Sequence, residues 1–283
     1  MSKFIFVYLS ITCILLFSCT AFAKKKIAII VPTHIRPYIE VVEGVKKTIS
    51  SNTLEIFFLE KNKLYVKQTL VSKSWNVIVT IGSSAKNFAE HLHIKSDHFI
   101  YSMVVYPQRS KKFDCGIYLM PDPDEIMDNI IKHIGKYKPV KNILIPYSSH
   151  ENDFYINLIK QYTAQKNINI IDIYLSKNKN FFDSLKKSDV VLLIPDPILY
   201  SKEIALSILE NAFLYKKPVV GYNRYLLDNG AYLCFIVNYK RVGIELGDLI
   251  NNIIGNKICT SHNAYYDILI NDKIKKYIFG KGK

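Results

Sequence analysis

From Lys26 onward the chain alternates short apolar runs with longer stretches whose apolar residues recur every three or four positions. The runs read as strands and the longer stretches as helices. A first series predicts strands at 27–31, 54–59, 77–81 and 99–105, with helices at 38–49, 63–74 and 85–91. A second series predicts strands at 116–119, 142–145, 168–174, 190–194, 219–221 and 232–237. Its helices are expected at 124–135, 153–165, 201–214 and 241–254. The amphipathic faces are clear: Ile126, Ile130, Ile131 and Ile134 share one side, and Val242, Leu246, Leu249, Ile250 and Ile253 another. Val190-Val191-Leu192-Leu193-Ile194 is apolar throughout, as a parallel strand buried on both faces must be.

Strand–helix alternation of this kind specifies an α/β fold with parallel sheets. No low-complexity linker divides the chain, and the polar segment 107–114 is the best boundary between the two series. Further crossings are expected near Asn238 and within 257–263. The predicted architecture is therefore two Rossmann-like lobes with parallel sheets joined by a multi-strand hinge. Residues 24–107 plus 239–260 would form the first lobe, and 108–238 plus 261–283 the second. Two lobes joined this way leave a cleft between them and close about a hinge.

The start of the chain belongs to a different category. Lys3 precedes an apolar stretch, then Ala21-Phe22-Ala23, then Lys24-Lys25-Lys26. A basic start, an apolar core and a small-residue exit describe a secretory signal over residues 1–23. Two other readings stay open. The stretch 4–23 is long enough for an uncleaved anchor, and Leu16-Phe17-Ser18-Cys19 resembles a lipoprotein box. All three place the protein outside the cytoplasm, periplasmic or extracytoplasmic, and the last two tether it to the membrane through its N-terminus.

Charge and cysteine narrow the function classes. The formal net charge is +14, from 38 Lys and Arg against 24 Asp and Glu. The lysines are scattered through every segment and no Arg-rich helix or aromatic RNA-binding motif appears, so the charge reads as a solvated surface rather than a nucleic-acid site. Beyond residue 23 the cysteines are Cys115, Cys234 and Cys259. An odd number without CxxC spacing gives neither a zinc site nor a disulfide framework, and buried apolar cysteines are the expectation, with one disulfide left open. His91, His93 and His98 are the only histidine cluster, and their spacing does not converge on one helix face. No metal site, cofactor site or catalytic constellation is expected: there is no P-loop, HExxH or GxSxG.

Several segments taken together resemble a known family. They are the Ile27-Ala28-Ile29-Ile30-Val31 strand, Val77 to Ala85 ending in Gly82-Ser83-Ser84-Ala85, and Asn142-Ile143-Leu144-Ile145-Pro146-Tyr147-Ser148. Lys217-Pro218-Val219-Val220-Gly221, Asn229-Gly230-Ala231-Tyr232, Gly243 and Asp267-Ile268-Leu269-Ile270-Asn271 complete the set. In this order the chain resembles the ABC transporter substrate-binding proteins of the TrpX/TrpY-like class, with the type 1 periplasmic-binding fold. The resemblance implies a small-molecule ligand in an interlobe cleft and an ABC permease, or another membrane partner, that receives it. An alternative with the same fold is a ligand-sensing accessory protein for a membrane receptor or kinase.

Ligands of open α/β sheets sit outside the carboxyl ends of the strands, which nominates side chains there. Ser83 and Ser84 start the helix after strand 77–81, where free amides favour an anion such as a carboxylate; plain N-capping is the alternative. Asp196 follows strand 190–194, and the resemblance turns it to the cleft, where it would pair a ligand ammonium. An Asp-Pro turn is its alternative. Asn223 offers a donor and an acceptor, or serves as a turn residue. Tyr147 and Ser148 follow 142–145. Thr33 and Arg36 follow 27–31, where Arg36 would grip a carboxylate. Tyr106 is a weaker candidate, at the end of strand 99–105. An amino acid or similar zwitterion is the expected ligand.

Overall fold

A computed structural model describes residues 24–49, 53–106, 110–175 and 180–280. The signal expected over 1–23 and the first three residues of the 107–114 link lie outside the described residues.

The first six-stranded sheet contains β1 (Lys26–Val31), β2 (Thr53–Phe58), β3 (Ser74–Ile81), β4 (Lys95–Val104), β5 (Cys115–Tyr118) and β11 (His262–Asn263), in spatial order β11-β5-β4-β3-β1-β2. All its pairings are parallel. Helices α1 (Arg36–Thr48) and α9 (Tyr239–Ile254) cover one face. There Val41, Val45, Val242, Leu246 and Ile250 bury against Ile27, Ile29, Val77 and Val79. Helices α2 (Leu59–Ser72) and α3 (Ser83–Glu90) cover the other, through Val66, Leu70, Ala85 and Ala89. Burial of both faces is why these strands are apolar without alternation.

α1 and α9 cross unusually closely. A Cβ on Gly44 would lie 2.7 Å from the Gly243 Cα, so neither helix can carry a side chain at the crossing. This contact, between segments nearly 200 positions apart, makes the late helix α9 part of the first lobe.

The second six-stranded sheet holds β6 (Asn142–Tyr147), β7 (Asn169–Tyr174), β8 (Val190–Leu192), β9 (Val219–Gly221), β10 (Leu233–Val237) and β12 (Tyr266–Ile270), in the order β12-β10-β9-β8-β6-β7. Only β12 runs antiparallel to its neighbour. α4 (Pro123–Ile130), continued by a π-helical turn to Gly135, packs with α5 (Asp153–Ala164) on one face. α6 (Phe181–Lys187), α7 (Lys202–Leu214) and α8 (Arg224–Asp228) cover the other. A last helix, α10 (Asp272–Phe279), docks through Phe279 onto Tyr137 and Tyr232.

The chain changes lobe at three places, and two of them shift the expected boundaries. The strand expected at 116–119 was grouped with the second lobe, yet β5 pairs with β4 in the first sheet. The reason lies in the described end of the link, from Ser110 onward, which is held on the first lobe. Ser110 Oγ donates to Glu90 at 2.7 Å, and Lys112 Nζ donates to the Ala89 and Leu92 carbonyls at 2.6 and 2.5 Å, which pins this segment to α3. The true crossing is residues 119–121, which run beside 104–105 with Leu119 N to Val104 O at 2.8 Å and Met120 N to Val105 O at 3.0 Å. The second crossing lies at Asn238, near its expected place. The third falls after β11, at Ala264–Tyr265, because β11 still pairs with β5. Asn238 N donates to Tyr265 O at 3.2 Å and ties the last two crossings together.

The cysteines resolve differently from the buried-apolar expectation. Cys115 and Cys259 form a disulfide, with Cα atoms 5.7 Å apart, tying β5 to the segment that leads into β11. Cys234 stays a free, buried thiol, and burial pushes its pKa up to about 12.

Candidate functional site

The carboxyl ends of both sheets face each other across a cleft. A cavity of about 510 Å³ lies there, lined from the first lobe by Ser83 and Asn87 of α3 and by Val105 and Tyr106 at the end of β4. The second lobe contributes Ser149, Glu151, Asn152 and Phe154, which follow β6, and Pro195, Pro197 and Tyr200, which follow β8. A second cavity of about 220 Å³ adjoins it at the hinge, sharing Val105, Pro195 and Tyr200 and adding Tyr222, Asn223, Tyr239 and Tyr266. The combined size suits a small ligand.

Local chemistry explains how each wall is built. Gly82 precedes α3 with φ +88°, a conformation that a side chain disfavours, and a Cβ there would lie 2.8 Å from the Tyr38 hydroxyl. The glycine thus starts α3 abruptly at the end of β3 and seats Tyr38 against that start. No side chain caps α3. Ser83, its first residue, stands at the cavity with the positive end of the helix.

The second lobe's wall is organised by Asp196, which is fully buried. Its carboxylate accepts from Ser148 N at 2.9 Å, Ser148 Oγ at 2.5 Å, Ser149 N at 3.2 Å, Asn152 Nδ2 at 2.7 Å and Ile198 N at 2.9 Å. Burial by itself would raise its pKa; the Ser148 hydroxyl and the backbone donors outweigh that and hold it below the ordinary carboxylate value. Asn152 turns its other face to the first lobe's strand end, where Tyr106 Oη donates to Asn152 Oδ1 at 2.5 Å. A continuous chain of bonds therefore runs from Asp196 through Asn152 to Tyr106 at the cavity floor.

Aromatic rings dominate the surroundings. Tyr106 packs on Tyr155 with centroids 4.9 Å apart. Burial raises the pKa of Tyr106 and of Tyr239, and lifts that of Tyr222 to about 12, so these phenols are neutral donors near pH 7. Tyr200 and Phe154 are different: they line the cavity while 73% and 58% exposed. Both belong to the second lobe's wall, and large apolar rings left open there are surface that lobe closure would bury.

The structure brings only some of the sequence-nominated residues together. Ser83 lines the cleft cavity and Asn223 the hinge cavity, where Asn223 Oδ1 also accepts from Leu226 N at 2.9 Å to cap α8. Asp196 and Ser148 lie behind the wall, bonded to each other. Ser84 points to the outer side of α3, into a groove with Lys63 and Lys67 of α2. Tyr147 lies edge-on to Tyr174, at 5.3 Å between centroids. Arg36 is exposed and bonded to Glu40 at 2.7 Å. Neither Arg36 nor Thr33 is among the described lining residues of the two cavities.

Tyr200, Glu151, Asn152, Phe154 and Asn87 were not nominated. Glu151, Asn152 and Phe154 stand only a few residues beyond Tyr147-Ser148, and Tyr200 just beyond Asp196. All five lie three to six residues beyond a strand-end position that the sequence does nominate.

Comparison with known proteins fits this arrangement. Residues 122–276 match the sequence family described as ABC transporter substrate binding protein. An uncharacterized protein, RP367, of Rickettsia prowazekii (strain Madrid E) is 23% identical over 246 residues, covering 81% of this chain and 76% of its own. Among solved structures, the ligand-free, open form of CD0873, a substrate binding protein with adhesive properties from Clostridium difficile, superposes with a TM-score of 0.72 at 15% identity. It covers 92% of this chain and 96% of the other. The ABC domain in complex with L-Trp from Streptococcus pneumonia gives 0.60 at 13% identity, covering 90% and 95%.

Proposed function

The chain belongs to the ABC transporter substrate-binding protein family, and from that premise we propose that it captures a small organic solute in its interlobe cleft outside the cytoplasm and delivers it to a membrane transporter. The family is one of binding proteins rather than enzymes. The observation that carries the proposal is the cavity at the facing carboxyl ends of two mostly parallel sheets, joined by three crossings that permit hinge motion. Ligand binding across both walls would favour the closed form, because closure draws Ser83 and Asn87 on one side and Tyr200 and Asn152 on the other about one molecule.

An amino acid or a similar zwitterion is our first choice of ligand. Ser83 and the α3 amides suit a carboxylate, and the tyrosine hydroxyls supply further donors. That a structurally similar protein was crystallised with L-Trp agrees with this choice.

Thermal-shift screening of the purified chain against amino acids, sugars and nucleosides tests the proposal. A true ligand at one hundred times its Kd stabilises by about 2.7 kcal/mol. Small-angle scattering of the same complex should report a smaller radius of gyration as the lobes close. A ligand that binds without compaction, or the absence of any stabilising solute, would count against the proposal.

A further inference from the structure

The charge of the cleft does not follow the charge of the protein. The chain carries 38 basic against 24 acidic residues, so a randomly composed cavity would be basic. Among the described residues lining the cleft and hinge cavities there is no Lys, Arg or His. One charged side chain lines them, Glu151. The buried Asp196 carboxylate stands directly behind that wall, adding a second negative charge at the same side.

Glu151 differs from Asp196 in what it has left to bind. Asp196 spends its oxygens on five donors. Glu151 is exposed at the cavity, and its side chain makes no hydrogen bond or ion pair with the described residues; only its amide is used, donating to Ser149 Oγ at 3.2 Å. That bond fixes the backbone from which the carboxylate projects. Phe154, three residues on, and Tyr200 line the same cavity with open rings. A carboxylate that shares a cavity with exposed aromatic rings favours a cation doubly, through ion pairing and through the negative ring faces.

Resting on the solute-binding reading above, we propose that the cleft selects ligands bearing a protonated amine, that Glu151 is its counter-charge, and that Phe154 and Tyr200 offer it aromatic faces from the same wall. The amine's role is thereby moved from Asp196, which the structure commits to holding its own loop. Solutes whose only charge is negative are rejected, because burying an anion beside two carboxylates without a basic partner is costly.

Matched probes test this by calorimetry: L-tryptophan, tryptamine, which lacks the carboxylate, indole-3-propionate, which lacks the amine, and a panel of neutral sugars. Wild type should bind the two amines and bind indole-3-propionate at least tenfold more weakly. Glu151→Gln should lose about tenfold for the amines, the worth of a charge-assisted bond, and should leave indole-3-propionate unchanged or tighter. Glu151→Asp should recover part of the loss. The free variants should melt with the wild type, since Glu151 is exposed and unbonded. If the propionate binds as well as tryptamine, if sugars bind and amines do not, or if Glu151→Gln keeps full amine affinity, the inference is overturned while solute binding stands. If nothing in this panel or in the wider solute screen binds wild type, both are overturned.

Discussion

Replacing Asp196 by Ala separates two roles that the sequence left open, ligand contact and loop construction. In the structure the carboxylate is the common acceptor for two serine amides, one hydroxyl, one side-chain amide and the Ile198 amide. Removing it strands these donors. Water entering through the cleft can reach the Ser148 hydroxyl and the two serine amides, but Asn152 is buried and the Ile198 amide starts the turn beneath it. Two stranded donors at about 1–3 kcal/mol each give a loss of about 2–6 kcal/mol. At the centre of that range the melting temperature falls by roughly 8–16 °C. Urea unfolding followed by circular dichroism measures it directly. The pH dependence adds a second check. The folded pKa of Asp196 lies below its ordinary value of 3.8. Its stabilisation is therefore full above that value and is lost as pH falls through the lower folded pKa. The gap between wild type and Asp196→Ala should accordingly be constant from neutral pH down to about pH 4–5, and narrow below that. A loss under about 1 kcal/mol at pH 7, with ligand affinity abolished, would refute the structural role and restore Asp196 as a ligand contact.

Other expectations follow from the same geometry. Tyr106→Phe removes the hydroxyl that donates to Asn152 and should cost about 0.5–1.5 kcal/mol; combined with Asp196→Ala the two losses should add to less than their sum, because both act on Asn152. Unfolding without reductant should expose one alkylatable thiol among residues 24–283, Cys234, and reductant should expose three. Cys115→Ser with Cys259→Ser should lower stability by about 2–4 kcal/mol. In the native protein Cys234 should resist iodoacetamide at pH 8, since burial holds the thiol pKa near 12. Gly243→Ala puts a Cβ 2.8 Å from the Gly44 Cα and should destabilise by about 1–3 kcal/mol, measured by chemical unfolding.

The amino-acid order alone determined the main strands and helices of both lobes and their class, but not the short elements α6, α8, α10, β11 and β12. Apolar runs such as 27–31, 77–81 and 190–194 became central parallel strands, because burial on both faces demands continuous hydrophobicity whatever the neighbours are. The amphipathic stretches 124–135 and 241–254 became helices for the same local reason, their apolar stripe being fixed by the 3.6-residue repeat. The rule that ligands meet the carboxyl ends of strands led to the loops that line the cavity, Ser83 among them. What the sequence could not decide was which strand joins which sheet and which side chain in a loop is free. β5 returned to the first lobe because of contacts from Ser110 and Lys112 to α3, which no local pattern announces. Cys115 and Cys259, 144 positions apart, met only because β5 and the segment before β11 share an edge of that sheet. Asp196 and Glu151 are both acids in strand-end loops, and their local sequence ranks Asp196 first. Only the folded arrangement, which surrounds one with donors and leaves the other facing the cleft, reverses that order, because a side chain's availability depends on partners that the chain brings from elsewhere.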